Sequence, residues 1–191
     1  TSLYANKRVD EFGGSFENRM RLPRLIIENI RKKAGNDLAL LCRINGGDMV
    51  PGGNDVHDNM AIACYLESLG IDGLDISMSV HSKDQYMWAP TTTHAGFNIG
   101  YVQEIKKCVS IPVITVGRHT EPFVAETFVR TGKADVVAFG RQSLADPHLP
   151  NKALEGKLND LIPCIACLQG CVCNMFVGKP ITCLANPFLG H

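Results

Sequence analysis

The chain has 191 residues, 45% hydrophobic and 20% charged, with 19 Lys plus Arg against 19 Asp plus Glu. That length and balance fit one globular core. They argue against nucleic-acid binding, which needs a basic excess, and against a membrane span, because no apolar run approaches ~20 residues.

A helix is expected over Glu17–Lys33, where Met20, Leu25, Ile26, Ile27 and Ile30 recur at helical spacing and Gly35 is placed to end it. Leu38–Ile44 (LALLCRI) reads as a strand buried on both faces. Asp55–Leu69 reads as a helix that turns Met60, Ala63, Cys64, Leu66 and Leu69 inward and stops at Gly70. Gly73–Ser77 is the second strand, Asn98–Cys108 a helix, and Ile111–Val116 a third strand running into Gly117. Glu121–Thr131 is helical and closes at Gly132; Ala134–Phe139 is a fourth strand running into Gly140; a short helix covers Asn151–Gly156. Thr1–Asp10 lacks the apolar centre of a signal peptide.

Buried strands separated by helices imply a parallel sheet with right-handed crossovers. Two architectures fit: an open doubly wound sheet and a (β/α)8 barrel. A nucleotide-binding open sheet normally carries a glycine-rich phosphate loop after its first strand, and neither GxGxxG nor GxxxxGK[ST] is present. Chemically suggestive residues instead follow every strand: Arg43, Ser77 to His81, Gly117–Arg118 and Gly140–Arg141. Function at successive strand ends is the barrel pattern, although only four of eight strands are here.

Eight cysteines is a high count for a chain without a secretion signal. Cys42, Cys64 and Cys108 are scattered among apolar residues and read as small core residues. The other five crowd near the C-terminus, which favours a metal in a reducing compartment, hence a cytoplasmic location. Cys164, Cys167, Cys171 and Cys183 have the spacing C-x2-C-x3-C-x11-C. Four soft sulfur donors can ligate an iron–sulfur cubane, one per iron. Tetrahedral zinc and a disulfide framework are the alternatives. Cys173 is a spare thiol in this scheme.

The two Gly-Arg pairs form the second signal. Glycine lets the main chain approach an anion, and an adjacent guanidinium binds its oxygens; ordinary turns bearing surface arginines are the alternative. Arg43 ends a strand and needs a partner, either a flavin ring or Asp75 on the next strand.

The segment Arg8-Val-Asp-Glu-Phe-Gly-Gly-Ser-Phe-Glu-Asn-Arg19 resembles the RxDxYGGSxENR stretch of the old yellow enzyme family of flavin oxidoreductases. The cysteine spacing, followed by Asn186–Pro187, resembles its iron–sulfur branch, the 2,4-dienoyl-CoA reductase, enoate reductase and bile-acid-inducible type. This resemblance implies a (β/α)8 TIM barrel, present as its C-terminal half over residues 1–160, and a cluster-binding segment over residues 161–191. It implies FMN held by Arg43, Gly117, Arg118, Phe139, Gly140 and Arg141, and a [4Fe-4S] cluster on the four cysteines. It also implies an N-terminal half-barrel and FAD- and NAD(P)H-binding domains outside this stretch. In the implied reaction, electrons pass through the cluster to FMN and reduce an activated C=C bond of an enoate, enoyl-CoA or steroid enone, with His81 assisting proton delivery. Tyr86 and Trp88 are candidate pocket residues, and His57, His94, His119 and His148 have weaker claims. Amine dehydrogenases are related, with a shorter gap between the second and third cysteines. A non-catalytic, metal-stapled half-barrel is the competing reading. Alone, such a chain is expected to bind FMN weakly and to dimerise or aggregate through open sheet edges.

Overall fold

The computed structural model describes residues 1–80 and 84–190 of the chain. Helix α1 spans Phe16–Ala34. Ser15 begins it by accepting a hydrogen bond from the Asn18 amide at 3.3 Å, and Gly35 ends it at φ 75°, a left-handed value that costs glycine little. Strand β1 follows at Leu41–Asn45 and helix α2 at Val56–Ser68. Asp55 and Asp58 form a reciprocal capping box at the start of α2. Next come β2 (Gly73–Ser77), α3 (Asp84–Met87), α4 (Ile99–Lys106), β3 (Val113–Thr115), α5 (Pro122–Arg130) and β4 (Val136–Val137). Two short helices, α6 (Arg141–Ala145) and α7 (Leu149–Leu154), lead to the cysteine segment. That segment holds a π-helical turn over Gln169–Cys173 and a last helical turn, α8 (Asn174–Phe176).

The four strands are all parallel and lie in the order β1-β2-β3-β4. Each crossover moves one strand onward in the same direction. A doubly wound sheet reverses direction at a switch point; this one does not, which decides for the barrel architecture.

The core lies between the sheet and its helices. Leu74 and Ile76 of β2 are fully buried and pack with Met20 and Ile27 of α1, Ile62 and Leu66 of α2, and Val102 and Ile105 of α4. The opposite face holds the row Arg43, Asp75, Ile114 and Val136, aligned by strand register. Here the expectation of a first strand buried on both faces is corrected. β1 starts at Leu41 rather than Leu38, and Leu41 is 56% exposed because no described element covers that face. Leu25 and Ile26 are likewise exposed beside the buried Met20 and Ile27, so the apolar stripe of α1 is narrower than its periodicity implied. Of the expected core cysteines, Cys42 and Cys108 are half-buried and pack against the core, and Cys64 is corrected, being exposed. Among the described residues no helix is long and apolar enough to cross a membrane.

The glycine-rich segment from Arg8 to Arg19 serves the start of α1. Arg8 pairs with Asp10, and a Cβ on Gly13 would overlap the Arg8 main chain. Arg19 donates to the Thr1 carbonyl at 2.6 Å. No residue of this segment lines either cavity described below.

Candidate functional site

A cavity of about 310 Å³ opens at the C-terminal ends of the strands. Each strand brings a group to the walls: Arg43 from the middle of β1, Ser77 from the end of β2, Gly117 and Arg118 from just beyond β3, and Gly140 and Arg141 from just beyond β4. Tyr86, Trp88 and Phe97 add aromatic wall. Phe139 does not line the cavity; its ring packs 6.5 Å from that of His119 behind the wall. His81 lies outside the described residues.

Two guanidiniums dominate the electrostatics. Arg118 occupies the left-handed region at φ 56°, a costly conformation for a side chain with a Cβ. It donates to the Thr93 carbonyl, and its Nε is buried without a partner. Arg141 donates through Nη2 to the Ala89 carbonyl at 2.9 Å, and its Nη1 is buried without a partner. Burial holds the Arg141 guanidinium below its ordinary pKa; the thiols of Cys164, Cys171 and Cys167 oppose that shift, and the charge on Arg118 adds to it. Buried, unpartnered cationic donors beside a like charge form a costly arrangement that an anion would relieve.

The glycines contribute differently. A Cβ on Gly140 would meet open space. A Cβ on Gly117 would overlap Asn98 Oδ1 and lie 2.9 Å from its Cγ. Asn98 is fully buried and donates to the Ile76 and Val116 carbonyls at 3.1 and 2.7 Å, joining the ends of β2 and β3. Gly117 is therefore explained by the packing of Asn98, and Gly140 alone leaves a space that a ligand could enter.

Arg43 pairs with Asp75 at 3.3 Å and donates to Ser77 Oγ at 3.2 Å. Its partner pays little attention to solvent: Asp75 Oδ1 is buried without a hydrogen bond, and burial raises the carboxyl pKa while Arg43 lowers it. Arg43 thus has its protein partner and lines the cavity as well.

His119, which has only a weak claim in the sequence, is buried in this wall. Its Nε2 lies 3.2 Å from Thr115 Oγ1, its Nδ1 has no partner, and Phe128 packs edge-on at 5.6 Å. Burial depresses its pKa to about 4, so the ring is neutral near pH 7. Its position directly after Gly117–Arg118 was the only available signal.

Beside this cavity a narrower one, about 20 Å³, is lined by Cys164, Cys167, Cys171 and Cys183. Specific backbone devices gather the four thiols. Gln142 of α6 accepts from the Cys164 amide at 2.7 Å and donates to the Ile162 carbonyl at 2.9 Å. Thr91 donates to the Ile165 carbonyl at 2.6 Å. Ala166 and Leu168 both turn left-handed, at φ 53° and 64°, around Cys167. Gly170 admits the second strand of the loop: its carbonyl accepts from the Thr182 amide at 2.8 Å, and a Cβ there would sit 2.5 Å from the Thr182 carbonyl oxygen. That contact brings Cys183 beside Cys171. Burial pushes the Cys171 thiol up, with Arg141 pulling the other way. All eight cysteines are free, Cys173 is exposed outside the cavity, and no three His, Cys, Asp or Glu side chains among the described residues converge as a single-ion site. Arg141, Leu144, Cys164 and Cys171 line both cavities.

The family model described as NADH:flavin oxidoreductase / NADH oxidase matches residues 1–160. An NADH oxidase of Thermoanaerobacter brockii is 40% identical over 187 residues, which cover 97% of this chain and 29% of the relative. A cinnamate reductase of Clostridium sporogenes is 32% identical over 98% of this chain and 30% of its own length. A solved 2-naphthoyl-CoA reductase, in complex with 2-naphthoyl-CoA, superposes with a TM-score of 0.92 at 34% identity, covering 99% of this chain and 29% of that one. The chain thus spans less than a third of the length of these relatives.

Proposed function

This chain belongs to the NADH:flavin oxidoreductase / NADH oxidase family, and on that premise we propose that it supplies the phosphate-binding half of an FMN site and the ligands of a [4Fe-4S] cluster in a reductase of activated C=C bonds. The observation that carries the reading is the pair of half-buried guanidiniums, Arg118 and Arg141, each with one buried nitrogen left without a partner, next to the four thiols that line the smaller cavity.

Arg118, Arg141 and the open backbone at Gly140 would hold the phosphate of FMN, since their orphaned donors match an anion with several acceptor oxygens. Arg43 would stand at the polar edge of the flavin ring, kept in place by Asp75 and Ser77. Cys164, Cys167, Cys171 and Cys183 would each ligate one iron. The four thiols line one small cavity, and four soft sulfur donors suit a cubane that takes one donor per iron. When bound, the cluster supplies single-electron transfer and the flavin supplies hydride transfer to carbon. The protein's part is to fix the anionic end of the flavin, to exclude water with Tyr86, Trp88 and Phe97, and to hold His119 neutral in the wall. The assignment of His81 as assisting proton delivery stays with this proposal. Cinnamate and 2-naphthoyl-CoA, named for the relatives, are conjugated carbonyl compounds, which supports an aryl enoate or its thioester as the substrate proposed here.

Iron, sulfide and flavin analysis of the anaerobically purified protein tests this. About four iron and four sulfide per chain with bound FMN supports it; one zinc and no flavin overturns it. Cys171→Ala is expected to abolish iron retention, and unchanged iron content rejects Cys171 as a ligand. Anaerobic mixing of the dithionite-reduced protein with cinnamate should reoxidise the flavin; reduction of the flavin by a secondary amine instead would mark the amine-dehydrogenase chemistry.

A further inference from the structure

Three thiols lie outside the cysteine segment, and two of them meet. Cys64 is exposed on α2, and Cys108 is half-buried two residues beyond α4. The helices are brought together by burial of Ile62, Ala63 and Leu66 against Val102 and Ile105. Cys64 Sγ donates to the Cys108 carbonyl at 3.1 Å. Cys108 Sγ donates to the Ile105 carbonyl at 3.0 Å and lies 3.6 Å from the carbonyl of Met60, one turn before Cys64. Each sulfur is thus held at the other helix, Cys64 Sγ on the main chain of Cys108 itself and Cys108 Sγ beside the turn that precedes Cys64. Neither residue lines either cavity.

We propose that Cys64 and Cys108 form a redox-active dithiol, a site that a low-molecular-weight disulfide converts to a Cys64–Cys108 bond tying α2 to the end of α4. In the first step the Cys64 thiolate attacks one sulfur of the reagent R–S–S–R. A Cys64–S–S–R bond forms, the reagent's bond breaks, and RS⁻ leaves and takes up a proton. In the second step the Cys108 thiolate attacks the Cys64 sulfur and expels a second RS⁻, which is also protonated. Two protein thiols have then lost two electrons and two protons, and the reagent has become two RSH.

The order follows from the surroundings. Cys64 is open to a reagent. Burial first, and then the neighbouring Cys64, push the Cys108 thiol up to about 12, so it makes a poor first nucleophile. Once Cys64 carries the mixed disulfide, Cys108 faces it at the high effective concentration of an intramolecular partner. Cys42 has no such neighbour: burial raises its thiol, and its Sγ reaches only its own strand, 4.0 Å from the Arg43 carbonyl.

The test is anaerobic incubation of the cluster-loaded protein with oxidised glutathione, followed by alkylation and peptide mapping. The expected product is a Cys64–Cys108 peptide pair, lighter by two hydrogens than the reduced peptides and restored by dithiothreitol. Cys108→Ser should stop at a glutathione adduct on Cys64, and Cys64→Ser should leave Cys108 unmodified. A persistent glutathione adduct on Cys64 in the unaltered chain, pairing of Cys64 with another cysteine, or no reaction at either residue overturns the proposal. A second readout needs no oxidation. Phenylarsine oxide, which bridges two neighbouring thiols, should bind this pair about a hundredfold more tightly than it binds either serine variant; equal binding also overturns it.

Discussion

His119 shows how a single side chain can tie stability to pH. Its pKa, about 4 against an ordinary 6.5, is depressed by burial. Between those values the unfolded chain binds a proton that the folded chain refuses, so stability is full above pH 6.5 and declines as the pH falls toward 4. The loss approaches about 3 kcal/mol at the acid end. Denaturant unfolding at pH 7.0 and 4.5 measures it, and His119→Phe should flatten the slope between these pH values even if it changes stability at pH 7. An unchanged slope would place the acid sensitivity elsewhere. Sequence reasoning ranked this residue low because nothing in a single chain shows that a loop histidine sits at 5% exposure under two phenylalanine rings. The Gly-Arg pairs were legible, since a glycine and a cation after a strand make sense without coordinates. The reason for Gly117 was not legible, because Asn98 reaches it from 19 positions away in the sequence.

At the scale of elements, α6 joins the two cavities. Its five residues are too few to show a period, so the sequence offered no helix there. Arg141 faces both cavities, Gln142 clamps Ile162 and Cys164, and Leu144 accepts from Asn186 Nδ2 at 2.9 Å. Asp146 follows: although burial pushes its carboxyl up, Lys152 and the Ile162 and His148 amides hold it below the ordinary range. Gln142→Leu should remove the partner of the part-buried Cys164 amide and Ile162 carbonyl, at about 0.5–1.5 kcal/mol each, and release iron to a chelator several-fold faster. Iron release at the unaltered rate would show that the clamp does not restrain the cysteines. The long helices and the central strand β2 were legible within one or two residues at most ends, because period and capping chemistry agree there. β3 and β4 came out shorter than their apolar runs, since pairing sets a strand's length and only Ile114 and Thr115 pair with Val136 and Val137.

Across the whole molecule, the sheet is covered on one face. The other carries Leu41 at 56% and Val136 at 47% exposure, at opposite edges. Apolar surface beside unpaired strand edges invites association. Light scattering on the isolated chain should therefore report dimers or larger species, and Leu41→Lys with Val136→Lys should shift the population toward monomer; a monodisperse monomer of the unaltered chain would show that these edges are inert. Strand order could be anticipated from the placement of polar residues after each strand, but the bare face could not, because a continuous apolar run looks the same whether or not something lies across it. One guanidinium, that of Arg141, stands in the party wall of two chambers. Negative charge entering either room weakens the welcome Arg141 gives in the other, and thermodynamic reciprocity makes the two penalties equal. Filling and emptying on one side are thus felt on the other with no moving part at all.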